Sequence, residues 1–413
     1  GPTRIDAPMV RKSWLENGPG SKNHLRGRDP FVEVSWDKAE KIVAQELNRV
    51  KSKFGNSAIY GGSYGWASAG RFHHAQSQLH RFLNCIGGYT RSKFTYSFAA
   101  AEAMVPHILG SYRAYLDTCT SWDLIKNSTK LFVCFGGVPL KNGQICQGGT
   151  GNHYQKESII SAASSGIEFV NVSPLKSDLM DEAGGKWLSL RPNTDTALML
   201  GIAHTLHIEG LSDKDFLNKY TEGFDIFLNY LLGFSDGIQK DANWAAEICD
   251  IPANEIRELA RRMVSNRTMI SVSWSLTRQD HGEQPFWMAI MLASMIGQIG
   301  LPGGGFGFGY SATNHIGGQF TILPGAAFPQ AKNEIENFIP VARISDLLLK
   351  PNENFNFDGK KYKYPDTKIV YWAGGNPFHH HQDLNRLIKA WEKPDTIICN
   401  EWCWNTLAKR SDI

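Results

Sequence analysis

Residues 60–66, YGGSYGW, put Tyr64 and Trp66 on a glycine scaffold directly after a short apolar run. A phenol O–H and an indole N–H are donors that can hold a negatively polarised oxygen without supplying a full charge. At the end of a strand they would aim those donors at whatever binds above the sheet. Packed inward, they would only cap a core. Other polar groups stand where apolar runs stop: Gly136, Lys141 and Asn142 after "LFVCF", Ser173 and Pro174 after "IEFVNV". Lys141 and Asn142 suit a diphosphate, and Ser173 with the nearby Lys176 suits a ribose or base; a solvated loop is the plain alternative. Three adjacent histidines in "HHHQD" (379–383) cannot all face one ion from a regular element, and no H-E-x-x-H spacing is present. They fit hydrogen bonding to a bound anion better than a metal.

The elements that must position these residues read as strands alternating with helices. Helical spacing covers 35–55, with a Ser start and a Gly stop, and 71–88. Strands are expected at 57–63, 129–136, 166–172, 267–273, 368–374 and 396–402, with helices at 151–165, 195–210 and within 213–265 between them. "PFWMAIMLASMIGQIG" (285–300) reads as a buried core helix, too short and interrupted to span a bilayer. The glycines of "LPGGGFGFGY" (301–310) let backbone approach something closely, with a mobile loop as the plain alternative. The expected fold is α/β, with parallel, doubly wound (Rossmann-like) sheets in two domains and the ligand at the carboxyl edges of the strands. Residues 1–35 read as an extended lead-in, 36–128 with 366–413 as a first domain, and 129–365 as a second. The chain stops at "LAKRSDI" where a further strand is expected, as a piece of something longer would.

Bulk properties narrow the field. A length of 413 residues exceeds one ordinary core. With 42% hydrophobic and 20% charged residues the chain belongs to the folded class, and a net charge of +3 gives no reason to expect nucleic acid. Seven scattered cysteines without a C-x-x-C argue against a disulfide framework and against an iron–sulfur cluster in this chain. No G-x-G-x-x-G opens a helix and no Walker A sequence occurs, so a plain NAD or ATP site fits poorly. The first residues carry no apolar signal core and no twin arginine, which leaves the compartment open between periplasm and cytoplasm.

Five blocks in order carry a resemblance: "YGGSYGWASAGRFHHAQSQLHRFLN", "YSFAAAEAMVPHILG", "GEQPFWMAIMLASMIGQIGLPGGGFGFG", "GGNPFHHHQDLNRL" and the closing "SDI". The chain resembles the molybdopterin-dependent dimethyl sulfoxide reductase family, in its branch of trimethylamine N-oxide, dimethyl sulfoxide and biotin sulfoxide reductases. The resemblance implies molybdenum held by two molybdopterin guanine dinucleotides, with a serine oxygen as protein ligand. It also implies reduction of an S-oxide or N-oxide by oxygen-atom transfer to Mo(IV), fed by an electron donor such as a cytochrome or thiol system. The family's serine stands in "DYSTGA"; here the matching stretch is "TYSFAA", which places it at Ser97, with Thr95, Phe98 and Ala99 as departures. Those departures bear on the substrate pocket and keep dehydrogenation, hydroxyl transfer or a non-catalytic relative of the same fold as alternatives. Tyr64 and Trp66 would face the oxygen handled at the metal. One dinucleotide would lie along Gly136, Lys141, Asn142, Ser173 and Pro174, the other along Trp274, Ser275, Arg278, Gly375, Asn376 and His379. Position 173 often carries Asp in the family, and Ser there softens that contact. The resemblance also implies a longer protein, with a segment before "PTRI" and a C-terminal domain closing over the cofactors.

Overall fold

Apolar runs without alternation, such as Leu131–Phe135 and Thr268–Val272, need cover on both faces, which parallel sheets flanked by helices provide. The computed structural model describes residues 1–64, 72–144, 153–318 and 327–413, and Trp66 lies outside them. The chain divides into two units, residues 1–96 with 323–413, and 97–322.

In the second unit five parallel strands lie in the order Lys186–Leu188, Glu168–Val172, Leu131–Phe135, Thr268–Val272, Gly305–Phe308. Chain order runs outward in one direction from Leu131–Phe135, then in the other from Thr268–Val272. The reversal between those two strands is the switch point where open α/β sheets leave a crevice at their carboxyl ends. Helices Gln155–Ser164, Asp195–Ile208, Ala253–Ser265 and Gln284–Met295 supply the cover. Asp195–Ile208 is apolar nearly all round and buried on almost every side. Gln284–Met295 is the expected core helix, and among the described residues no helix is long and apolar enough to cross a membrane.

The first unit carries a three-stranded parallel sheet in the order Thr396–Asn400, Ile369–Ala373, Ile59–Gly62. Trp36–Phe54 is its longest helix; the Ser35 hydroxyl accepts from the Lys38 N–H, and Gly55 ends the helix at φ +80°. The two glycines of "YGG" answer a packing demand. A Cβ on Gly61 would meet Leu83 and Tyr89 at 2.6 Å, and one on Gly62 would meet the Trp372 ring at 2.1 Å.

Three expectations differ from what is observed. Residues 1–35 are not an extended lead-in: Met9–Arg11 pairs antiparallel with Phe31–Glu33, and Arg11 is fully buried. An ionic cluster draws the segment in, since Arg11 and Arg26 both bond to Asp412 near the other end of the chain. The division falls at 96/97 and 322/323 rather than at 128/129 and 365/366. Ala101, Val105, Tyr112, Leu116, Trp122 and Ile125 share the second unit's core, while Phe338–Pro340 pairs with Arg91–Lys93 in the first. Of the two readings of 301–310 the mobile loop is the one that fails: Gly305–Phe308 forms the edge strand, with Phe306 and Phe308 buried against the core, while close approach holds at Gly307 and Gly309. At the end of the chain Thr406–Lys409 is helical, and the backbone of Asp412 and Ile413 then bonds to Ile397 and Cys399.

Candidate functional site

Within the first unit the strand Ile59–Gly62 delivers Tyr64 to its carboxyl end. The Tyr64 N–H donates to Gly374 O at 2.9 Å, which ties it to the loop leaving the neighbouring strand. That loop turns on Gly374 and Gly375, both at positive φ, and a Cβ on Gly375 would meet the Tyr64 Cβ at 2.6 Å. Trp372 pins the turn from below: its indole N–H donates to Gly374 O and Gly375 O, and its ring stands edge-on to Tyr64 at 4.9 Å. Asn376 then caps the one-turn helix Pro377–His380 by accepting from the Phe378 N–H. Asn376 is 7% exposed, and its amide nitrogen is buried with no hydrogen-bond partner. A buried orphan donor of this kind is costly unless a ligand completes it.

His379 is exposed, while His380 Nδ1 lies 3.0 Å from Asn376 O. His381 is the buried member of the triplet, 8% exposed, with Nε2 at 2.8 Å from the Tyr64 hydroxyl. The Tyr96 hydroxyl lies 2.7 Å from its Nδ1 and 3.2 Å from its Nε2. Burial, with some help from neighbouring His380, pushes the His381 pKa down to about 4, so the ring is neutral near pH 7. Burial likewise holds the Tyr64 and Tyr96 phenols above the ordinary tyrosine range. The result is a cluster of neutral polar groups, Tyr64, His381 and Tyr96, in which the Tyr96 ring stands edge-on to His381 at 86°. Sequence reasoning missed His381 and Tyr96. Among the described residues no group of three His, Cys, Asp or Glu side chains could hold a metal ion.

In the second unit three of the expected strand-end loops share the carboxyl edge of one sheet. Gly136 follows Leu131–Phe135 at φ +79°, and a Cβ there would meet the Leu276 side chain at 2.4 Å and Ser273 Cβ at 2.8 Å. Glycine thus lets the loops on either side of the switch point close together. Ser273 caps the turn Trp274–Thr277, accepting from the Ser275 N–H, and the Ser275 hydroxyl donates to it at 2.9 Å. Trp274 is buried against Phe98 at 4.2 Å, and Thr277 donates its hydroxyl to Ser97 O at 3.2 Å. Ser97 therefore sits beside the switch-point loop. Phe98, not Ser97, occupies the N-cap of Ala99–Met104, and no side chain caps that helix.

Ser173 is 1% exposed; its hydroxyl donates to Asp178 at 2.8 Å and its carbonyl accepts from the Trp187 indole. Lys141 Nζ reaches the other oxygen of Asp178 at 3.2 Å. Asn142, Pro174 and Ser275 are exposed. Arg278 is exposed too, and has no ion-pair partner among the described residues. The edge therefore offers a cation, two positive-φ glycines and several hydroxyls, a donor set that fits a large phosphate-bearing cofactor.

A doubly wound sheet with this edge is a scaffold that takes a ligand at its switch point, and comparison with known proteins narrows it. The family model described as molybdopterin oxidoreductase matches residues 4–413, and the chain belongs to that family. Membership implies a molybdopterin and its molybdenum. The chain is 47% identical to a biotin sulfoxide reductase of Cereibacter sphaeroides over 99% of its length and 55% of the relative's. It is 45% identical to a dimethyl sulfoxide/trimethylamine N-oxide reductase of the same organism, covering 100% of this chain and 51% of that one. A trimethylamine-N-oxide reductase of Haemophilus influenzae is 43% identical, over 99% and 51%. The chain thus spans about half the length of the curated relatives it matches. Among solved structures, acetylene hydratase from Pelobacter acetylenicus shares the fold at a TM-score of 0.59 and 16% identity, covering 99% of this chain and 54% of that one.

Proposed function

We propose that the protein to which this chain belongs reduces S-oxides or N-oxides, with molybdenum carried by two molybdopterin guanine dinucleotides. When bound, the metal supplies the redox change: two electrons and two protons turn the oxide's oxygen into water. The chain's own residues orient the substrate, place hydrogen-bond donors and exclude water. Ser97 offers the hydroxyl that serves as protein ligand. Gly136, Lys141, Asn142, Ser173 and Pro174, with Trp274, Ser275 and Arg278, line the second unit's edge for dinucleotide phosphates and sugars. Gly375, Asn376 and His379 contribute from the first unit's loop, where the unpartnered Asn376 amide is a donor awaiting an acceptor. Relatives named for biotin sulfoxide, dimethyl sulfoxide and trimethylamine N-oxide support the substrate class.

The observation that carries the reading is Tyr64, a neutral phenol fixed at a strand's carboxyl end by its backbone bond to Gly374 and its side-chain bond to His381. A donor held where negative charge grows on a departing oxygen stabilises the transition state. Tyr64→Phe in the full-length, cofactor-loaded protein removes that one donor and little packing. The expected loss is about 1–4 kcal/mol of transition-state stabilisation, or roughly ten- to several-hundred-fold in rate. Turnover across a panel of sulfoxides and N-oxides tests it, and unchanged rates for all of them would return Tyr64 to the core. Trp66 is assigned the same role as a second donor.

A further inference from the structure

The turn Trp274–Thr277 leaves the carboxyl end of Thr268–Val272 and is capped by Ser273. Both neighbouring strands end in a glycine that lies against it. A Cβ on Gly136, after Leu131–Phe135, would meet Leu276 at 2.4 Å, and one on Gly309, after Gly305–Phe308, would meet Trp274 at 2.1 Å. Behind the turn, a Cβ on Gly282 would meet Thr277 O at 2.3 Å. Glycine at these three places lets backbone close in on the turn from several sides, and a turn packed so tightly has little room to shift.

Ser97 and Phe98 are fastened to that turn at two points. The Thr277 hydroxyl donates to Ser97 O at 3.2 Å, sharing its one hydrogen with Trp274 O at 2.9 Å. The Phe98 ring lies 4.2 Å from the Trp274 ring and 5.4 Å from the Tyr112 ring, packed on the second unit's core. Trp274 and Tyr112 are themselves buried, so Phe98 is keyed between two fixed rings. The carbonyl of Ser97 and the side chain of the next residue are thus both held. What freedom remains to the Ser97 Oγ is chiefly its χ1 rotation.

We propose that Thr277 and Phe98 are positioning residues for Ser97: through the turn they share, they set where the Ser97 Oγ stands against a cofactor lying along the same strand ends. The inference rests on the reading of Ser97 as the protein ligand. It gives Trp274–Thr277 a part beyond lining a dinucleotide, because the turn that would meet the cofactor's tail also holds the serine. Groups that orient a metal's ligands are commonly worth about ten- to a hundredfold in metal affinity or activity.

The test uses full-length, cofactor-loaded protein and a readout other than turnover: the electron paramagnetic resonance of the half-reduced metal, normalised to bound molybdenum, which responds to the metal's ligands. Ser97→Ala sets the reference for a lost ligand. Thr277→Val keeps the shape and removes the hydroxyl, whereas Thr277→Ser keeps the hydroxyl and removes a methyl. Positioning through the hydroxyl predicts a shifted or broadened signal in Thr277→Val and the wild-type signal in Thr277→Ser. A role in packing alone predicts the reverse, and that pattern would overturn the proposal. Phe98→Leu should broaden the signal too, and kcat for oxide reduction should fall about tenfold or more in Thr277→Val with KM held. On the Ser97→Ala background Thr277→Val should change the signal no further; a further change would mean that the turn acts on the cofactor by another route, and would sink the inference. A wild-type signal in Ser97→Ala would instead sink the ligand reading beneath it. Should Phe98→Leu fail to fold, the two Thr277 variants decide the matter.

Discussion

Replacing Asp412 by Ala should be among the most damaging single changes in the first unit. The Asp412 carboxylate has no exposed surface and accepts four hydrogen bonds: Arg11 Nε at 2.7 Å, Arg26 Nε at 3.1 Å, Arg26 Nη2 at 2.5 Å and the Ile397 N–H at 2.8 Å. Arg11 also pairs with Asp29 at 2.9 Å, so two guanidiniums face two carboxylates, all but a few per cent buried. Removing Asp412 leaves two buried cations against one anion. Breaking a buried pair in this way costs about 3–5 kcal/mol, because the remaining charge has lost both its partner and its water. The lower half of that range applies, since Arg11 keeps Ser21 O and Arg26 keeps Trp391 O and Pro394 O. Urea unfolding of the full-length protein followed by tryptophan fluorescence gives the number, and Trp391 beside Arg26 supplies a local reporter. The double variant Arg26→Met/Asp412→Ala should recover part of the loss, because it removes the stranded charge along with its partner. A loss below about 1 kcal/mol, or strict additivity in the double variant, would refute the charge argument.

Three further outcomes follow from the same geometry. Ser97→Ala in the full-length protein should lower bound molybdenum by metal analysis while costing at most about 1 kcal/mol of stability, the typical net worth of one hydroxyl hydrogen bond. Gly62→Ala should destabilise by roughly 1–3 kcal/mol, because its Cβ would meet Trp372 at 2.1 Å and that ring is wedged between Tyr64 and Trp391; a neutral result by calorimetry would show that Trp372 can move. For pH, the folded His381 pKa of about 4 lies below the ordinary 6.5, so the unfolded chain takes up the proton first as pH falls. Its contribution is flat above pH 6.5, erodes from there towards pH 4 and is constant below, a total of roughly 3 kcal/mol, and the slope of stability against pH should flatten over that window in His381→Phe.

Strand positions were legible because each apolar run is short, uninterrupted and followed by glycine or a polar loop, so Leu131–Phe135, Thr268–Val272 and Ile369–Ala373 lie where the pattern put them. Their order was not, since pairing depends on contacts between distant segments. The edge strand Gly305–Phe308 shows the limit most clearly. Its glycines signal a loop by propensity, yet Gly307 and Gly309 are where the Tyr310 and Trp274 rings press on the backbone, at 2.2 and 2.1 Å from where a Cβ would be. Tertiary crowding selected glycine there, as it did at Gly61 and Gly62, and crowding leaves no periodic mark. The 1–35 segment misled for the opposite reason: Arg11 and Arg26 look solvated in a polar stretch, and the carboxylate that both of them meet, Asp412, lies some four hundred residues on.

At the candidate site the sequence gives residue types but not which of them are already committed. Tyr64 could be singled out because it follows a strand, whereas its partner His381 is 317 positions away and stands in a triplet whose members look alike. A local signal did exist: Asn376 followed by Pro377 starts a helix, and one turn later the chain leaves it at His381, whose extended backbone separates it from the two exposed histidines. Ser173 shows the converse. As a hydroxyl after a strand it is an obvious ligand candidate, but its hydrogen is spent on Asp178, which also holds Lys141. A phosphate or ribose arriving at that loop therefore meets a lysine and a carboxylate already bound to each other. It can recruit Lys141 only by displacing an exposed 3.2 Å contact, a small cost. Recruiting Ser173 would mean breaking a part-buried 2.8 Å bond, and that is the less favourable exchange.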